Sequence, residues 1–148
     1  MGMKLSTKGR YGVRAALELA LRYGSGPVMV REIAESQDIS ERYLEHILNA
    51  LRASGIVKST RGARGGYELA KPPATVAVGE IVRALEGPLD IVSCTSDKDC
   101  RRTMTCVAME VWSEVRDAIE RVLDSVTLED MVRRRHQMNG GGIADYTI

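Results

Sequence analysis

Phenylalanine is absent from these 148 residues, and aromatic side chains make up only 4% of them. A folded core must therefore be built from aliphatic residues. No stretch approaches the roughly 18 uninterrupted apolar residues that a membrane-crossing helix needs. The opening segment, Met1-Gly2-Met3-Lys4-Leu5-Ser6, also lacks the apolar run of a secretory signal. The expectation is a cytoplasmic protein with no membrane partner. Catalytic constellations are lacking as well: no Ser/His/Asp set, phosphate-binding loop or paired-carboxylate motif stands out at a meaningful spacing, so no enzymatic role is expected. Cysteine is scarce and confined, with Cys94, Cys100 and Cys106 inside 13 residues and none elsewhere. An odd, clustered set in a reducing compartment argues against a disulfide framework and for metal binding or thiol redox chemistry.

What is present is ordinary in amount but uneven in place. Charged residues at 28% and hydrophobic residues at 44% suit a soluble globular chain, and the length suits one compact unit with extra helices or an oligomerisation arm. The net charge of +1 hides an asymmetry. Residues 1–71 hold 12 Lys/Arg against 7 Asp/Glu, whereas residues 72–148 hold 9 against 13. A basic first half suits a polyanion, and an acidic remainder suits another task.

Hydrophobic spacing predicts a helix over residues 6–23, capped by Ser6 or Thr7, with Val13, Leu17, Ala20 and Leu21 on one face and Gly24 as its stop. A short helix follows at 30–36, then a polar turn, then a third helix from a Ser40 cap to about Ser54, with Leu44, Ile47, Leu48 and Leu51 inward. Two short helices about a tight turn form the pattern of a helix-turn-helix. The segments 56–60 and 67–70 read as strands around Arg61-Gly62-Ala63-Arg64-Gly65-Gly66, a hairpin whose tip carries two arginines suited to phosphates or a narrow minor groove. Ser40, Glu41, Arg42, Tyr43 and Glu45 are expected to face a major groove, with Lys4, Lys8 and Arg10 on phosphates and Arg61, Arg64, Gly65, Gly66 and Tyr67 forming the wing.

Another short helix is predicted around Val78–Leu85. From 103 to 124 the apolar positions Met104, Ala108, Val111, Val115, Ala118 and Val122 recur at alternating spacings of four and three, widened by Val107, Trp112, Ile119 and Leu123. So broad a stripe needs cover, and the same helix of a second copy is the expected partner. Thr127-Leu128-Glu129-Asp130 resembles a capping-box helix start. The expected fold class is mostly α with a small β-hairpin wing. It divides into a winged helix-turn-helix over 1–77, the cysteine loop and dimerisation helix over 78–132, and a flexible tail over 133–148.

The Cys94-x5-Cys100-x5-Cys106 spacing does not match the close cysteine pairs of structural zinc sites. Three soft thiolates suit an iron-sulfur cluster, which usually takes four ligands. A thiol redox switch and chemically inert cysteines stay open on spacing alone, as does a redox protein with no DNA target.

The chain resembles the IscR/NsrR/CymR family of bacterial regulators. The resemblance rests on Met3-Lys4-Leu5-Ser6-Thr7-Lys8-Gly9-Arg10-Tyr11, Ser40-Glu41-Arg42-Tyr43-Leu44-Glu45, Arg61-Gly62-x-x-Gly65-Gly66-Tyr67, Val78-Gly79-Glu80-Ile81 and Thr127-Leu128. It implies a homodimeric, sequence-specific regulator of promoter DNA, mainly a repressor, in which Glu45 helps to choose the site. The three-cysteine loop followed by Trp112 is similar to the iron-sulfur branch, which implies a 2Fe-2S cluster on Cys94, Cys100 and Cys106. Where that branch supplies a histidine three residues after the last cysteine, this chain has Met109. Arg10 stands where the nitric-oxide-sensing branch can supply an aspartate. The fourth position is left to Glu110, His136, His46, a small molecule or a residue of a second subunit.

Overall fold

Helix starts set the frame. In the computed structural model, which describes residues 5–90 and 106–146, the Ser6 hydroxyl accepts from Gly9 N–H at 3.1 Å and opens α1 (Thr7–Leu21). The Ser40 hydroxyl does the same for Tyr43 N–H at 3.2 Å and opens α3 (Glu41–Ala53). Each such cap satisfies a helix N–H that has no partner within the helix and contributes about 1 kcal/mol. Between them α2 (Val30–Gln37) ends in Asp38, whose left-handed conformation (φ 54°) makes the tight turn into α3.

Strands β1 (Val57–Thr60) and β2 (Gly66–Leu69) pair antiparallel in the register Val57 to Leu69 through Thr60 to Gly66. Val28 adds a bridge at the hairpin's edge: its N–H donates to the Tyr67 carbonyl at 2.8 Å and its carbonyl accepts from Tyr67 N–H at 2.9 Å. The chain then passes through a short 3-10 turn, Pro73–Thr75, into α4 (Val78–Glu86). Helices α5 (Val107–Ser125) and α6 (Leu128–Tyr146) complete the described chain.

The core is aliphatic, as the lack of phenylalanine requires. Leu19, Ile33, Leu44, Ile47, Leu48 and Leu51 of the first three helices pack with Leu69, Ile81, Leu85 and Leu128 in one cluster. Burying each such side chain contributes roughly 1.5–3 kcal/mol. The cluster takes in α4 and the first residue of α6, so the sequence boundary at 77/78 does not divide the core. A second bridge fixes this return: Val78 N–H donates to the Val126 carbonyl at 2.8 Å, and Leu128 N–H to the Val76 carbonyl at 2.9 Å. Gly12 sits at the α1–α4 crossing, where a Cβ would force Leu85 Cδ1 to move.

The capping box expected at Thr127 forms: Asp130 N–H donates to Thr127 Oγ1 at 3.1 Å and Thr127 N–H to Asp130 Oδ2 at 3.0 Å. Hydrogen bonds from the Thr127 backbone, from Arg133 and from the Thr127 hydroxyl hold the Asp130 carboxyl below its ordinary range. The chain beyond this start differs from the tail expected over 133–148, because α6 is helical as far as Tyr146. A firmly capped start, anchored by fully buried Leu128, carries the nucleation cost, and each further residue then adds one helix hydrogen bond.

Helix α5 has no buried residue. Val107, Val111, Trp112, Ile119 and Val122 are exposed, Val107 to 73% and Val122 to 63%. Its C-terminal end is tied to α4 by a fork from Arg83 Nη2 to Asp124 Oδ1 at 2.7 Å, which holds the guanidinium even more firmly charged than usual. Among the described residues no helix is long and apolar enough to cross a membrane.

Candidate nucleic-acid interface

Alternation along α3 separates support from display. Leu44, Ile47, Leu48 and Leu51 are buried, whereas Glu41, Arg42, Glu45, His46 and Asn49 are exposed on the outer side. Ser40, Arg42, Tyr43, Glu45, His46 and Asn49 line an open cleft of about 500 Å³. Ser40 accepts the cap bond with one lone pair, so its hydroxyl proton and its second lone pair are still available to a ligand.

A second cleft of about 520 Å³ lies between the start of α3 and the hairpin, with Glu41, Arg31, Arg52, Arg61, Gly65 and Tyr67 among its lining. The two clefts are neighbours. Glu41 lines one and Arg42 the other, and the Tyr67 hydroxyl donates to Asn49 Oδ1 at 3.2 Å across the boundary. Arg52 Nη1 donates to Ser59 Oγ at 3.2 Å and ties the end of α3 to the first strand. The recognition segment and the wing thus form one continuous surface.

The hairpin tip is shaped by backbone room. Gly62 sits at φ 113°, and a Cβ on Gly65 would meet the Thr60 carbonyl. On Gly66 a Cβ would strike the Val28 carbonyl, the acceptor of the edge bridge. These glycines let the tip fold tightly while Arg61 and Arg64 stay exposed. Among the described residues Arg42, Arg61 and Arg64 make no ion pair, in contrast to Arg22, Arg31 and Lys58, which pair with Glu32, Glu35 and Glu68. Free guanidinium groups beside backbone-lined hollows are suited to phosphate oxygens and base edges.

Lys8 and Arg10 fall on the first turns of α1, half-buried and exposed respectively, and Lys4 lies outside the described residues. The adjoining Tyr11 meets Tyr43 edge-on, with ring centroids 6.3 Å apart, so this part of α1 flanks the recognition segment. Arg14, Gln37 and Asn49 also belong to this region and were missed by sequence reading. Their partners lie 18 to 23 residues away, beyond the reach of any local pattern.

Of the three cysteines, Cys94 and Cys100 lie outside the described residues. Cys106 is free, half-buried and placed at the N-cap of α5, where its side chain makes no capping bond. Its sulfur is therefore not consumed by the helix start, which fits a soft-metal donor. Met109 N–H donates to the Cys106 carbonyl at 3.2 Å, and Glu110 is exposed one residue further on. His46 belongs to α3 and His136 to an exposed turn of α6. Among the described residues no three His, Cys, Asp or Glu side chains converge as a metal site.

Residues 5–134 match the family model for Rrf2, described as an iron-dependent transcriptional regulator. The chain belongs to the Rrf2 family. It is 45% identical over 129 residues to the HTH-type transcriptional regulator CymR of Bacillus subtilis (strain 168), covering 87% of this chain and 89% of that one. The structure of that protein, called the global cysteine regulator of B. subtilis, matches with a TM-score of 0.76 over 88% of this chain and 97% of its own. The T. potens IscR structure matches at 47% identity with a TM-score of 0.75, covering 91% and 90%. IscR of Escherichia coli O1:K1 / APEC is 36% identical over 140 residues, covering 95% of this chain and 86% of that one. This Rrf2 member is accordingly a DNA-binding transcriptional regulator of the helix-turn-helix type, with the mostly helical, winged architecture expected from its sequence.

Proposed function

We propose that this Rrf2 protein acts in the cytoplasm as a homodimeric repressor of promoter DNA, with an iron-sulfur centre of the 2Fe-2S type tuning its choice of site. The observation that carries the DNA reading is the pair of adjoining clefts. One presents Arg42 and Tyr43 from the first turn of α3, the other presents Arg61 from the wing, and among the described residues neither arginine has the carboxylate pairing seen elsewhere. Arg42 suits guanine in a major groove, Glu45 suits a cytosine amine, and Arg61 with Arg64 suits the minor groove or its phosphates. Lys4, Lys8 and Arg10 suit backbone phosphates.

The dimer reading is supported by α5, whose apolar stripe the other described residues leave exposed. Two copies joined along that stripe carry two recognition helices to successive major-groove segments of a near-palindromic site. Cys94, Cys100 and Cys106 would hold the centre, which when bound supplies a charge and redox state that can be gained or lost. The relatives include regulators of both the IscR and CymR kinds, and the cysteine loop favours the former.

Electrophoretic retardation of promoter duplexes combined with visible absorption tests the proposal. Anaerobically reconstituted protein is expected to be coloured and to retard a duplex selected from a random pool, with colour lost in Cys94→Ala, Cys100→Ala and Cys106→Ala. A colourless protein whose DNA affinity follows thiol oxidation would support the cluster-free switch, and failure to retard any selected duplex would sink the DNA reading.

A further inference from the structure

The helix-turn-helix is held to α1 by a polar brace as well as by aliphatic packing. Arg14 on α1 reaches the last residue of α2: its Nε donates to Gln37 Oε1 at 2.7 Å and its Nη2 to the Gln37 main-chain carbonyl at 3.3 Å. Gln37 is buried, and its Nε2 donates onward to Glu18 Oε1 at 3.0 Å, an oxygen that also accepts from the Ser36 hydroxyl at 3.0 Å. Glu18 is only 8% exposed, and Arg22 Nε stands 4.0 Å from its other oxygen. Among the described residues no buried side-chain polar atom is left without a partner, so the brace carries no unmet desolvation cost.

Two features of its placement bear on DNA reading. First, Gln37 immediately precedes Asp38, the sole described non-glycine residue with positive φ. The Arg14 fork therefore grips a helix-end carbonyl at the point where the chain turns into α3. Second, the same guanidinium lies 5.0 Å from the centroid of the Tyr11 ring. Tyr11 meets Tyr43 at 89° between ring planes, and Tyr43 lines the outer cleft. One side chain thus touches both the turn that aims the recognition helix and the aromatic pair that seats a cleft residue.

We infer that Arg14 is a positioning residue for sequence discrimination: it fixes the entry angle of α3 and the seat of Tyr43 without itself reading bases. The inference rests on the reading of α3 as the recognition helix. Lysine cannot replace it, because an ammonium lacks the planar fork that donates to two oxygens while its face covers a ring.

The test uses the full chain and two duplexes of equal length, one selected by the wild-type protein from a random pool and one scrambled, with affinities measured by fluorescence anisotropy across a salt series. Arg14→Lys and Arg14→Met are each expected to lower the selected-to-scrambled affinity ratio about tenfold, the scale of one good base contact, while the salt slope stays that of the wild type. Thermal melts accompany the binding curves, and should Arg14→Met prove unfolded at the assay temperature, the charge-conserving Arg14→Lys decides. An unchanged ratio overturns the inference. So does an equal loss on both duplexes with a slope shallower by about one, the mark of a lost phosphate contact. Wild-type protein unable to tell the duplexes apart would overturn the recognition-helix reading and the inference together, whereas discrimination that persists in both variants removes the role of Arg14 alone.

Discussion

The outer surface of α3 with the wing and the exposed stripe of α5 are both turned to solvent, yet they are built in opposite ways. The first is polar and charged, and it stands on buried Leu44, Ile47, Leu48 and Leu51, on the Tyr67–Asn49 and Arg52–Ser59 hydrogen bonds and on the Val28 bridge. The second is apolar, and α5 itself contributes no buried residue. A surface whose supports are complete within one chain is prepared for a polar ligand that arrives from water. A surface that exposes Val107, Val111, Trp112 and Val122 together is of the kind that marks a protein contact. The proposed division of labour rests on this difference: a polar face for DNA and an apolar face for a second copy.

The comparison breaks most visibly at α5. Replacing Ile119 with Asp is expected to give a monomer by analytical ultracentrifugation and to weaken binding to a two-half-site duplex about 10²- to 10⁴-fold through lost avidity, while a single half-site loses little. Retention of a dimer in Ile119→Asp would show that this stripe is not the contact. Next in size is the support under the polar face: Leu44→Ala, at a fully buried position, should cost roughly 2–5 kcal/mol in urea unfolding. A stability close to that of the wild type would mean that α3 is not seated on the core as described.

Smaller effects sharpen the contrast on the surface itself. Arg61→Ala should weaken binding to the selected duplex by roughly 1–3 kcal/mol, with melting unchanged, because the side chain supports no fold contact. Equal affinity for every promoter tested would remove Arg61 from the interface. The smallest effect concerns the start of α6. The Asp130 carboxyl is held below its ordinary range, so the stability it contributes is complete above the unfolded carboxylate range and is lost as pH falls through the lower folded value. Thermal melts of wild type and Asp130→Asn should differ near neutral pH and converge in strong acid, and a difference that instead grew with acidity would contradict this assignment.

Much of this was legible because it is local. Ser6 and Ser40 announced helix starts, the spacing of Leu44, Ile47, Leu48 and Leu51 gave the inner face of α3, and the glycines around Arg61 and Arg64 gave the hairpin. The α5 stripe was equally legible, since its apolar repeat continues in one direction on one helix. Arg14 was not, because nothing beside it in sequence signals a partner at Gln37, and its function comes only from the packing of α1 across the turn. Nor was Asn49, whose hydrogen-bond partner Tyr67 is brought to it by β2 from 18 residues away. Helix α6 also ran past its expected end, since Gly140, Gly141 and Gly142 weigh against a helix locally while the cap at Thr127 acts cooperatively from a distance.

The pair of main-chain hydrogen bonds between Val28 and Tyr67 has a consequence for how such a reader could be retuned. Because they belong to the backbone, exchanging side chains at Arg42, Glu45 or Arg61 leaves them standing, and the wing keeps its offset from the recognition helix. On the proposed reading the molecule is a fixed caliper with replaceable tips: substitutions would change which base steps are preferred, while the separation at which the two grooves are sampled would stay constant.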